Sequence, residues 1–252
     1  MKARSHFKGK KVFEHLKEAR KKGQKATEES HGIETPGHII GGADAAKELV
    51  TSALLIWVIG NTLGLLQRQI FLLFSLFCFG FLLWKVGRSA VLAWSRIERV
   101  NRLIEEEKYE IEHNREEEKA ELKEMYVAKG FSGELLNTVV DVLMADDNKL
   151  LGVMLEEELG VSLETFDHPL KQALGAGIGV FLAAISLALG VKLFALPGLF
   201  IAGFLVIFAA SYVIAFIEKI AFVHYIVWNL SITFLAVFGT LFITRFILFE
   251  GL

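Results

Sequence analysis

The chain has 252 residues, a hydrophobic fraction of 53%, 21 Phe against 3 Pro, and a net charge of −2. That is too apolar for an ordinary soluble domain of this size, and so even a charge balance gives no expectation of a nucleic-acid partner. One cysteine, Cys78, excludes an intrachain disulfide and a cysteine-based metal knuckle; inside its apolar run it reads as a small buried hydrophobe.

Residues 1–40 form a basic tail, with ten Lys and Arg before Lys47 and Gly, Ser and Thr towards its end. Such a tail suits attraction to anionic lipid. It is expected to be mobile and cytoplasmic, with one amphipathic stretch near Val12–Leu16. Five segments approach the ~20 apolar residues that a bilayer-crossing helix needs. They are 46–66, 69–88 (continuing as helix through Trp94), 172–192, 194–217 and 226–249. The first 40 residues are polar, so segment one is expected to be a retained anchor and not a signal peptide. Lys and Arg in the short flanks set the orientation. The basic tail and the Arg96, Arg99, Arg102 flank belong on the cytoplasmic side, and with five spans the C-terminus lies on the opposite side. The fold class is an all-α membrane protein with five transmembrane helices and a cytoplasmic three-helix insert between helices 2 and 3. The parts are a tail at 1–40, helices 1 and 2 at 41–96, the insert at 97–168, and helices 3 to 5 at 169–252.

The insert is rich in good helix formers. Residues 95–125 lack Pro and Gly, so segment two is expected to run on into it, with a bend at His113-Asn114. Residues Gly130 to Gly133 mark a break, after which Ser132 can cap a helix with an apolar face of Leu135, Leu136, Val139, Val140 and Leu143. Asp146, Asp147 and Asn148 signal a third start, Gly160 ends that helix, and Pro169 opens segment three.

Ten glutamates fall between Glu105 and Glu124. At ~100° per residue on an unbroken helix, Glu107, Glu110, Glu118 and Glu121 share an arc of about 80°. A solvated charged helix accounts for the same run, with Lys108, Arg115, Lys119 and Lys123 pairing with glutamates three or four residues away. Met154 and Glu158 also share a helix face, and a thioether beside a carboxylate suits Fe²⁺ better than Mg²⁺ or Ca²⁺. Met on an amphipathic helix is equally a core residue. His113 reads as an accessory ligand or as a solvent-facing side chain. Asn61 and Asn229, polar within apolar segments, suit interhelical hydrogen bonds.

The insert resembles the cytoplasmic metal-binding domain of the vacuolar iron transporter family. The family pattern is E-x-x-E, seven residues, E-x-x-E, a Tyr-x-x-x-Gly step, and later Met-Met-x-x-Glu-Leu-Gly. The chain has Glu107-x-x-Glu110, seven residues, Glu118-x-x-Glu121, then Tyr126 to Gly130, and Met154-Leu155-Glu156-Glu157-Glu158-Leu159-Gly160. Leu155 stands where the family has its second Met. By that resemblance Glu107, Glu110, Glu118, Glu121, Met154 and Glu158 gather a divalent metal, chiefly Fe²⁺, with Mn²⁺ or Zn²⁺ as alternatives. The family is homodimeric, its members carry ligands inside the membrane, and the analogy implies metal export from the cytoplasm in exchange for protons.

Those membrane motifs are altered. Asp44, the expected residue of the transport path, stands one position early in Gly42-Ala43-Asp44-Ala45. With Gly87 as anchor, Trp84 replaces the family's Met and Arg88 its Glu. Lys85 and Arg88 are expected to snorkel to the cytoplasmic surface. Three classes stay open: a divalent-metal transporter, a membrane-anchored metal-binding or sensing protein, and a dimeric scaffold. No nucleophile–base pair stands out, so no enzyme is expected.

Overall fold

A computed structural model describes residues 14, 16–18, 20, 37–160 and 168–250. Most of the basic tail, including most of Val12–Leu16, and the end of the insert at 161–167 lie outside the described residues. The described elements are α1 (His38–Thr62), α2 (Gln67–His113), α3 (Arg115–Ala128), α4 (Gly133–Met144), α5 (Asp147–Val153), a π-helical turn (Met154–Glu158), α6 (Pro169–Ile217) and α7 (Phe222–Glu250). No strand occurs among the described residues. Among the described residues, three helices are long and apolar enough to cross a membrane: Gln67–His113, Pro169–Ile217 and Phe222–Leu248. α1 is not among them; it carries Asp44, Lys47 and Glu48 within its length.

The chain divides into two compact units, one of residues 34–93 with 167–252 and one of residues 1–33 with 94–166. α2 contributes its first part to the former and its last part to the latter.

The first unit is a bundle of α1, α6, α7 and the start of α2. Its core is Ala45, Leu49, Val50, Ala53 and Val58 of α1 against Ala176, Val180, Ala183 and Leu187 of α6. α1 starts at His38, well before the apolar segment expected at 46. Glycines account for the difference, because apolarity marks the span while close packing holds the turn before it. A methyl group on Gly175 would sit 2.0 Å from the His38 carbonyl oxygen, and one on Gly179 would sit 1.9 Å from that of Gly42. The two backbones therefore touch, as small residues four apart allow. α6 is broken at Phe194 (φ −130°) and Ala195 (φ 51°), just before Pro197. Its two arms face each other across Gly190 and Gly198, and they are the segments expected at 172–192 and 194–217. The outer surface is apolar, with Phe71, Phe79, Leu235 and Phe242 exposed, which suits lipid and not water.

The second unit is the insert. The chain breaks at Asn114 (φ −126°, ψ 34°), where the bend was expected. Gly130 (φ 93°) and Gly133 (φ 62°) take left-handed backbone at the next break, which favours glycine. Ser132 holds the N-cap position of α4, but its side chain makes no cap hydrogen bond. Asp146 does cap α5, accepting from the Asn148 and Lys149 amides at 3.0 and 3.3 Å. On α4 the buried residues are Leu136 and Val140, with Leu143 packed beside them; Leu135 is 61% exposed, so the expected apolar face is narrower. The π-helical turn, closed by Leu159 N–H donating to the Met154 carbonyl at 3.1 Å, was not anticipated.

Candidate metal centre

Three helical stripes face inward in the insert, and each carries carboxylates where a core would carry Leu. On α2 the buried positions include Arg96, Val100, Leu103, Glu107 and Ile111, at spacings of three and four. On α3 they are Glu118, Glu121, Leu122 and Met125. On the π turn and just past it they are Met154, Leu155, Glu158 and Leu159. The glutamates are interior because they share a face with the apolar residues that drive burial.

These stripes bring Glu107, Glu118 and Glu158 together: one carboxylate oxygen from each lies within 4.8 Å of the others. Glu107 and Glu158 are each 3% exposed, Glu118 and Glu121 not at all. Glu110 is half-buried at the edge. Burying carboxylates together is costly in charged form, and their mutual repulsion adds to that cost. Burial, then the charges of Glu107, Glu121, Glu110 and Glu117, push the Glu118 carboxyl up to about 9. Glu158 is raised well above the ordinary carboxylate range, by burial first and then by Glu121, Glu107, Glu118 and Glu110. Glu110 and Glu121 thus act on the same space as the three closest acids. Glu117, which sequence reasoning passed over, adds a further negative charge beside Glu118.

Arg115 and Lys119 of α3 form their ion pairs with acids of other helices. Arg115 pairs with Asp147 at 2.7 Å and also donates to the Met144 carbonyl. Lys119 pairs with Asp141 at 2.8 Å. These contacts fasten α3 to α4 and α5, contrary to the local pairing expected of a solvated charged helix. Lys129 pairs with Glu157, and Arg20 donates to the Glu157 carbonyl at 3.1 Å.

Met154 is fully buried among Ile111, Leu122, Met125, Leu136, Val140 and Leu150. Leu155 lies in a separate cluster with Val100, Leu103 and Leu159. His113 is exposed, stacked on Tyr109 with ring centroids 4.0 Å apart.

The bundle unit holds the remaining expected residue. Asp44 forms an ion pair with Lys47 at 3.0 Å. Lys47 also donates to Asn229 Oδ1 at 3.1 Å and Tyr225 Oη at 3.3 Å, which bears out an interhelical role for Asn229. Lys85 does not snorkel. It is 1% exposed and reaches Glu48 at 2.9 Å, because Glu48 offers it a partner inside the bundle. Arg88 lies over the ring of Trp84, 5.3 Å from its centroid, and Trp84 is 55% exposed.

The family model described as the VIT family matches residues 91–245. The match includes all six expected ligands of the insert and begins beyond Asp44, Trp84 and Arg88. No curated protein and no solved structure matches the chain.

Proposed function

The chain belongs to the vacuolar iron transporter (VIT) family, and from that premise we propose that it is a membrane transporter whose cargo is Fe²⁺, with Mn²⁺ or Zn²⁺ as alternatives. The single observation that carries this reading is the closure of Glu107, Glu118 and Glu158 around one small buried space. A divalent ion there would be met by three carboxylates, one from each of three elements. Glu110 and Glu121 add to the field, and Met154 contributes a soft donor from the apolar side. Because burial and the neighbouring acids favour the protonated forms of Glu118 and Glu158, loading the ion expels protons, which couples metal capture to pH.

In this reading the insert is cytoplasmic and takes up the ion there. The spans are α1, the apolar part of α2, the two arms of α6, and α7. The ion leaves the cytoplasm in exchange for protons, the Lys and Arg bias sets the orientation, and two chains work as a homodimer. No enzymatic step is part of it.

A second reading, a membrane-anchored metal sensor, is favoured by one observation. Both acids of α1, Asp44 and Glu48, already sit against lysines. Anaerobic titration of the detergent-solubilised full chain with Fe²⁺, followed by metal flux in proteoliposomes, separates the readings. Binding with flux is the result expected of a transporter. Binding without flux leaves the sensor, and absence of both leaves a scaffold.

A further inference from the structure

Acidic residues within a span are costly to desolvate, so they ordinarily mark a cation path or pair with another charged group. α1 carries two, Asp44 and Glu48, and in this bundle each faces an ammonium and not a vacant space. Lys47 places its Nζ within hydrogen-bond reach of three acceptors, Asp44 Oδ1, Asn229 Oδ1 and Tyr225 Oη. An ammonium has three protons to donate, so that contact set is complete and reads as a structural tie between α1 and α7. Lys85 is different. It comes from another helix, α2, is 1% exposed, and crosses to Glu48 Oε2 at 2.9 Å. Glu48 keeps 30% of its side chain exposed, against 2% for the lysine that holds it.

We propose that Lys85 is a tethered cation that sets which free cations Glu48 accepts. The ammonium sits where an arriving divalent ion would bind, and two cations cannot share one carboxylate at such distances without strong repulsion. An ion passing Glu48 must first displace Lys85, and Lys85 can leave only by swinging its own stem aside. Arg88, one helical turn on, takes no part: it lies over Trp84 on an exposed flank. The inference rests on the transport reading for its purpose, but the occupancy of Glu48 is independent of it.

Two measurements on the full chain in proteoliposomes test this, with Mn²⁺ as an air-stable probe. The first is Mn²⁺ flux. Lys85→Met is expected to raise it at least tenfold, Glu48→Gln/Lys85→Met to abolish that gain, and Arg88→Met to leave flux unchanged. The second is modification of Glu48 by a hydrophobic carbodiimide, read by mass spectrometry. In Lys85→Met, Mn²⁺ should protect Glu48 from the reagent, and in the native chain it should not. Lys85→Gln, which keeps a hydrogen-bond donor for Glu48, serves if the methionine variant does not fold. Equal protection in native and variant chains, or none in either variant, overturns the assignment. Flux absent throughout with the protection pattern intact sinks the transport reading and leaves Lys85 assigned. Strong native flux unchanged in Lys85→Met does the reverse.

Discussion

Glu118 of α3 and Glu158 of the π-helical turn are both sealed from solvent, and with Glu107 each places a carboxylate oxygen within 4.8 Å of the others. Neither can ionise without being felt by the other, and both are pushed upward, Glu118 to about 9. The consequence for stability has a definite sign. In the unfolded chain Glu118 loses its proton near 4.5, whereas in the folded metal-free protein it keeps it to about 9. Between those values the folded state binds more protons, so stability falls as pH rises through that window and levels off above it. Thermal unfolding of the EDTA-treated protein should therefore show a higher midpoint at pH 5.5 than at pH 8, reflecting a stability difference on the order of a few kcal/mol. Glu118→Gln should flatten that slope and raise the midpoint at pH 8. A midpoint that rises with pH would contradict the upward shift that burial and the neighbouring carboxylates impose on these acids.

Metal loading should run the other way with pH. Binding Fe²⁺ or Mn²⁺ must expel the protons held by Glu118 and Glu158, so affinity climbs from pH 6 to pH 8. Calorimetric titration in two buffers of different ionisation enthalpy measures the protons released, with at least one per ion expected. Glu107→Gln, Glu118→Gln and Glu158→Gln should each weaken binding by tenfold or more, about 1.4 kcal/mol. Glu105→Gln, an exposed position, should change it by less than twofold.

Lys119→Ala separates the caged arrangement from a merely charged helix. Lys119 and Asp141 are 45% and 64% exposed, and exposed pairs are worth roughly 0–1 kcal/mol. The variant should lose no more than that and keep its metal affinity within about twofold. A large gain in affinity would mean that Lys119 had been neutralising the glutamates.

The helices of the insert, its break at Asn114 and its later start at Asp146 were legible because local chemistry decides them: cap residues, glycine and the absence of proline. The glutamate set was legible only in part. An unbroken helix over residues 107 to 121 would put four acids on one stripe, but the chain breaks at Asn114, so that geometric reason does not hold. What unites them is that Glu107 keeps step with Val100, Leu103 and Ile111, and Glu118 and Glu121 with Leu122 and Met125. That signal was present, as carboxylates in register with an apolar stripe. Lys85 was misplaced because its partner, Glu48, lies on another helix, and no local pattern couples the two.

Leu155, which stands where the resemblance places a second methionine, lies in apolar surroundings. It packs with Val100, Leu103 and Leu159, a cluster separate from the one that holds Met154. Leu155→Met is close to volume-conserving, so it should cost less than about 1.5 kcal/mol and leave Fe²⁺ affinity unchanged. A tenfold gain in affinity would place residue 155 among the ligands.

Backbone contact between α1 and α6 makes the sharpest stability prediction. A methyl group at Gly179 meets the Gly42 carbonyl oxygen at 1.9 Å, and one at Gly175 meets that of His38 at 2.0 Å. These are backbone atoms in packed helices, so neither can give way as a side-chain end could. Gly179→Ala and Gly175→Ala must push the helices apart, and that separates Ala45 and Leu49 from Ala176 and Val180. Each substitution should lower the unfolding midpoint in detergent markedly, with losses of the 1–3 kcal/mol typical of overpacking or more. Gly239 of α7 supplies the internal control, since nothing lies within 4 Å of a methyl group there. Gly239→Ala should be neutral or stabilise by up to about 1 kcal/mol, from helix propensity alone. Equal behaviour of Gly179→Ala and Gly239→Ala would show that the two backbones do not touch.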